Sequence, residues 1–159
     1  MRAILTVAVL TLTPMPALAQ MNILGPCRDG HRWMATTTSG APVAAYATCD
    51  AAQPLAIVAC GTAGWPELRI AAAPGTQAPA PGEVVTGRLT IDGGEGFDLR
   101  IAPAASVSGG SRILRVQLNR QAVEGMARGS RAVLDVLGTR VEMHLGASHD
   151  VLMLFNQQC

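Results

Sequence analysis

Lysine is absent from this chain: all twelve basic residues are Arg. That excludes the G-x-x-x-x-G-K-[ST] phosphate loop, whose Lys reaches the nucleotide phosphates. Aromatic residues are nearly as scarce, with Trp33, Tyr46, Trp65, Phe97 and Phe155 the complete set. They are scattered, so no segment offers the row of rings used to stack successive bases. Charged residues make up only 14% of the chain against 49% hydrophobic, which excludes a disordered chain. The formal net charge is +1, without a basic stripe, and nucleic-acid binding is not expected. Beyond the N-terminus no apolar run approaches the roughly 18 residues of a membrane span.

The N-terminus has its own pattern. In MRAILTVAVLTLTPMPALA, Arg2 precedes an apolar stretch from Ala3 to Thr13, which Pro14 and Pro16 interrupt. Ala17-Leu18-Ala19 then fits a small-residue cleavage site. Residues 1–19 are read as a cleaved secretory signal, and residues 20–159 as a single β-rich domain. Gln20 follows the cut, so a lipid-anchored Cys at that position is excluded. Four cysteines remain: Cys27, Cys49, Cys60 and Cys159. An even count in an exported domain implies two disulfides, with three connectivities open. Cys27 with Cys49 and Cys60 with Cys159 is the favoured set. No C-x-x-C occurs, so a thioredoxin-type redox pair is not expected. The implied location is a bacterial periplasm or the exterior.

Period-two alternation dominates the remainder. Strands are expected at Trp33 to Thr38, Pro42 to Thr48, Leu55 to Cys60 and Glu67 to Ala72. Residues 73–82, rich in Pro, Gly and Ala, read as a surface crossing. In the second half, Val85, Gly87, Leu89 and Ile91 share one strand face. After the Asp92-Gly93-Gly94 turn, Phe97, Leu99 and Ile101 share another. Further strands cover Leu114 to Leu118, residues 130–137 and Arg140 to Leu145. Asn119 caps an expected helix that ends near Gly129, and Ser148 caps a second, which Cys159 would staple. About nine strands and two short helices imply an antiparallel β-sandwich or open barrel.

The search for chemistry returns little. No G-x-S-x-G occurs, and Ser148-His149-Asp150 is a run of neighbours, not a convergent triad. His144, His149 and Asp150 are weak metal candidates at no recognised zinc spacing. No carboxylate stands out as displaced into apolar surroundings. Trp33 and Phe97 read as core. Trp65, in Gly64-Trp65-Pro66, is the aromatic best suited to surface recognition, with packing beneath a loop as the alternative. No cofactor is expected, and the chain reads as non-enzymatic.

A resemblance adds to this reading. Leu89-x-Ile-Asp-Gly93, then VQLNRQAVEGMARGSRAVLDVL from Val116, then RVEMHLGASHDVLMLF from Arg140 follow one another in order. Residues 83–158 resemble the C-terminal half of the invasion-associated locus B family, exported proteins of alphaproteobacteria. Trp33 and Cys49 resemble that family's Trp-then-Cys start. The chain departs from the family at 102–111, which lacks the close Cys pair that usually precedes the short helix, and at the terminal Cys159. The resemblance implies export, a β-rich fold and an envelope or host-interaction role with a protein or envelope partner. It implies no catalytic residue. Two other readings stand beside it. One is a small periplasmic inhibitor or ligand-binding module of the lysozyme-inhibitor kind, using a loop at 73–82 or 104–111. The other is a metal-binding protein.

Overall fold

The computed structural model describes residues 21–38, 40–50, 54–72, 76, 83, 85–94, 96–102, 107–108 and 111–159. The expected signal at 1–19 and most of the 73–82 and 104–111 segments therefore lie outside the described residues. Among the described residues, eleven strands form one antiparallel sheet. In chain order they are β1 (Asn22–Ile23), β2 (His31–Thr38), β3 (Ala41–Thr48), β4 (Pro54–Cys60), β5 (Pro66–Ala71), β6 (Thr86–Ile91), β7 (Gly96–Ala102), β8 (Val107–Ser108), β9 (Ser111–Gln117), β10 (Arg131–Val136) and β11 (Thr139–His144). The two-residue β1 and β8 are additional to the nine expected. Helices α1 (Arg120–Arg128) and α2 (His149–Gln158) complete the fold. The expected class, mainly β with two short helices, is the class observed.

The spatial order is β1-β2-β3-β4-β5-β9-β7-β6-β10-β11, with β8 on β9. Strand β7 joins the two halves. Thr86 to Thr90 of β6 pair with its Gly96 to Arg100, whereas only Ile101 and Ala102 pair with β9. The sheet thus splits along β7, and a notch opens between Asp98–Arg100 on one side and the end of β9 on the other.

Alternation decides what is buried. Trp33, Ala44, Tyr46, Val58, Leu68, Ile70, Leu114 and Val116 face inward from one half; Leu89, Leu99, Leu134 and Met143 face inward from the other. Helix α1 adds Ala122, Val123, Met126 and Ala127, and α2 adds Val151, Leu152 and Phe155. These residues form one core, and the helices pack on each other across it. Asn119 caps α1 as expected, its side-chain oxygen accepting from Ala122 N–H at 2.7 Å.

Gly129 ends α1 as expected, with φ −80°. A Cβ there would collide with Ile91 Cγ2, so close packing, not backbone freedom, calls for glycine. One cap expectation needs correcting: Ser148 does not cap α2 with its side chain; its hydroxyl donates to the Leu145 carbonyl at 2.8 Å. The turn reading at Asp92-Gly93 holds, with φ 51° and 72°. The Asp92 carboxylate also accepts from Ser130 and Arg131 N–H at 2.8–3.0 Å, fixing the exit from α1.

Edge strands of an open sheet need protection. Among the described residues neither β2 nor β3 shares a ladder with β11, yet side chains from both reach it. Trp33 Nε1–H donates to the His144 carbonyl at 2.6 Å, and His144 N–H donates to the Tyr46 hydroxyl at 3.3 Å. His144 Nε2 lies 2.9 Å from Asp29 Oδ2. The sheet curls until its two sides meet through an indole, a phenol and an imidazole.

Candidate functional site: the Trp65 groove

Cys60 ends β4, Pro66 begins β5, and the five residues between them make a tight turn. Gly61 N–H donates to the Trp65 carbonyl at 2.8 Å, and Gly64 N–H to Gly61 at 3.1 Å. Gly64 has φ +73°, where an L side chain is strained. Cys60 is bonded to Cys159, 99 residues away, so the end of α2 is clamped beside this turn. The second bridge joins Cys27 to Cys49, and among the described residues no cysteine is free. These are the two pairs that the sequence favoured among three sets.

On this mount Trp65 is 47% exposed, while Trp33 is 2% exposed. Trp65 is therefore not packed beneath a loop. Leu118 N–H donates to the Pro66 carbonyl at 2.9 Å and draws the end of β9 alongside the turn. The result is an open groove of about 360 Å³ at the notch where β7 leaves β9. Its walls are Trp65, the β7 stretch Asp98 to Arg100, and Gln117 to Asn119. Leu99 and Leu118 are buried at its base, so the exposed walls are one indole and four planar polar groups. Asp98 makes a long, exposed contact of 3.5 Å with Arg88. Asn119 spends its oxygen on the α1 cap and keeps its amide hydrogens. The sequence pointed to Trp65 but not to Asp98, Arg100, Gln117 or Asn119. Their alternation marks them as outward-facing; only the split in the sheet gathers them.

The metal candidates do not converge. His144 is held between Asp29, Trp33 and Tyr46, so it is a part-buried edge clamp and not the freely solvated surface residue its strand position suggests. His149 Nδ1 lies 2.8 Å from the Ala127 carbonyl and ties the start of α2 to the end of α1. Asp150 sits in the first turn of α2, where a negative charge suits the helix dipole. Among the described residues no three His, Cys, Asp or Glu side chains gather as a metal site.

A second, smaller cavity of about 40 Å³ lies at the bridged edge, lined among others by His31, Trp33, Tyr46 and His144. His31 stacks on Tyr46 with centroids 5.4 Å apart. Burial pushes the Tyr46 phenol above its ordinary range, and the negative charges of Asp29 and Glu142 act in the same direction. The phenol oxygen accepts from His144 N–H, which ties β3 to β11.

One carboxylate is buried, and it lies between two arginines. Glu67 is 6% exposed on β5. Burial alone would raise its pKa, but hydrogen bonds from Arg115 and Arg69 outweigh this and hold the carboxyl below the usual range. Arg115 is bidentate, with contacts of 2.8 Å to both carboxylate oxygens, and Arg69 Nε donates at 2.7 Å. The signal lies in Glu67-Leu68-Arg69, where the acid and the base share one face of β5.

No family model and no curated protein matches the chain. Among solved structures, the crystal structure of invasion associated protein b from Bartonella henselae is similar in fold, with a TM-score of 0.50 and 10% sequence identity. The likeness covers 84% of this chain and 97% of that one. The resemblance seen in residues 83–158 thus extends, as a likeness of fold, over most of the molecule.

Proposed function

We propose that this chain is an exported, non-enzymatic β-domain that acts by recognition at the cell envelope or at a host surface. The observation that carries this reading is Trp65, a large apolar side chain 47% exposed on a disulfide-clamped turn at the lip of a groove. Exposed single apolar residues are common, but a rigidly mounted indole over a concave polar site is the arrangement binding sites use. Two disulfides fit an oxidising compartment. The fold likeness to a protein described as invasion associated supports an envelope or host-facing setting.

The test is binding of the purified protein to isolated envelopes of the producing bacterium and to host-cell surfaces. Wild type is compared with Trp65→Ala and with Arg140→Ala, which alters an exposed ion pair elsewhere. The reading predicts loss of the bound fraction for Trp65→Ala alone. Equal binding by all three proteins, or binding by none, would overturn it.

A further inference from the structure

We infer that the Trp65 groove takes a saccharide, bound as an uncharged stretch of one or two sugar rings. This rests on the proposal that the groove is the recognition surface, and it names the ligand chemistry.

Four features of the groove point to this class. Its exposed chemistry is one indole plus a carboxylate (Asp98), a guanidinium (Arg100) and two amides (Gln117 and Asn119). All four are planar; Asp98, Arg100 and Gln117 present paired donors or acceptors, the geometry that grips vicinal hydroxyls two at a time, and Asn119 adds its amide hydrogens. The lining carries one acid, Asp98, and one base, Arg100, with Arg88 beside Asp98 outside it, so no run of like charge marks the groove for a strongly ionic ligand. The apolar residues at its base, Leu99 and Leu118, are buried at 2% and 0% exposure, so there is no greasy slot for the apolar face of a partner helix. The indole is the large exposed apolar group of the lining, suiting a ring whose C–H face is weakly apolar and whose rim is polar. At about 360 Å³ the groove lies at the small end for ligand sites and is open, as a binder of an internal stretch of chain requires.

The two tryptophans make the test direct. Trp33 is buried with its Nε1–H bonded to the His144 carbonyl, so its indole N–H signal is an internal reference, while that of Trp65 reports the groove. The full mature protein, with disulfides intact, is titrated by NMR with neutral tetrasaccharides of β-linked glucose, β-linked N-acetylglucosamine, α-linked glucose, mannose and galactose. The inference predicts that at least one saturably shifts the Trp65 indole signal and leaves that of Trp33 unmoved. Trp65→Ala and Gln117→Ala should each weaken binding of that sugar, the former by roughly tenfold, while Trp65→Phe restores most of it. Both variants should keep the Trp33 signal in place, which shows the fold to be intact. If no member of the panel moves the Trp65 signal at millimolar concentration, the saccharide assignment is wrong. If envelope binding still depends on Trp65 in that case, the recognition reading survives with a protein ligand. If it does not, both fail together.

Discussion

Removing the Cys60–Cys159 bridge should cost more stability than removing Cys27–Cys49, by an amount set by loop length. The bridges close loops of 99 and 22 residues in sequence separation. In the chain-entropy treatment a cross-link restricts the unfolded chain according to the logarithm of the loop, giving about 4.7 kcal/mol for the longer and about 3.4 kcal/mol for the shorter. Native contacts widen the gap. Cys60–Cys159 pins the end of α2, whose Val151, Leu152 and Phe155 are core residues, whereas Cys27–Cys49 tethers an irregular lead-in. The double variants Cys60→Ala/Cys159→Ala and Cys27→Ala/Cys49→Ala, compared in urea, should differ by more than about 1 kcal/mol. With a slope of about 2 kcal/mol per molar, this separates the midpoints by more than about half a molar. The Cys60/Cys159 variant should also broaden the Trp65 indole signal, because the turn loses its clamp. Equal midpoints, or the opposite order, would refute the argument from loop closure and α2 anchorage.

Further outcomes follow from other parts of the fold. Glu67 has its carboxyl held below the usual range in the folded state, so its ion pairs stabilise fully above the unfolded value and fade as pH falls through the folded one. Acid titration of stability should therefore be steeper for wild type than for Glu67→Gln, and Glu67→Ala should cost about 1–3 kcal/mol at neutral pH, since Arg69 and Arg115 keep partial access to water. Tyr46→Phe removes the acceptor of His144 N–H and should cost about 1 kcal/mol while speeding amide exchange at the β11 edge; unchanged exchange would count against the side-chain bridge. Gly125→Ala places a Cβ 2.7 Å from Ile91 Cδ1, so it should destabilise by about 1–3 kcal/mol in wild type and become neutral or stabilising with Ile91→Val. Intact mass of protein exported from a bacterial host should match a chain beginning at Gln20 without free thiols; a retained leader or alkylatable cysteines would contradict the export reading.

Much of the fold was legible because burial follows a short period. Alternation in Leu89–Ile91, Phe97–Ile101 and Leu114–Leu118 gave strand position and inward face directly, and Asn119 announced α1. The longer-range parts were not legible. Nothing local says that β7 leaves β9 after two residue pairs, so the groove and its polar walls were invisible although Trp65 was not. His144 alternates as a surface residue, and its role as an edge clamp depends on Asp29, Trp33 and Tyr46, which lie 98 or more residues away. Gly129 was placed correctly at the end of α1 for a different reason, because crowding by Ile91 is a tertiary contact.

The most direct test of recognition at the Trp65 groove is site-specific photocrosslinking in living cells. A benzophenone side chain is placed at position 65, at the lip of the groove, or at position 140, on the outer face of β11. The account predicts a discrete adduct from position 65 and none from position 140. Adducts at both positions alike, or at neither, would contradict it.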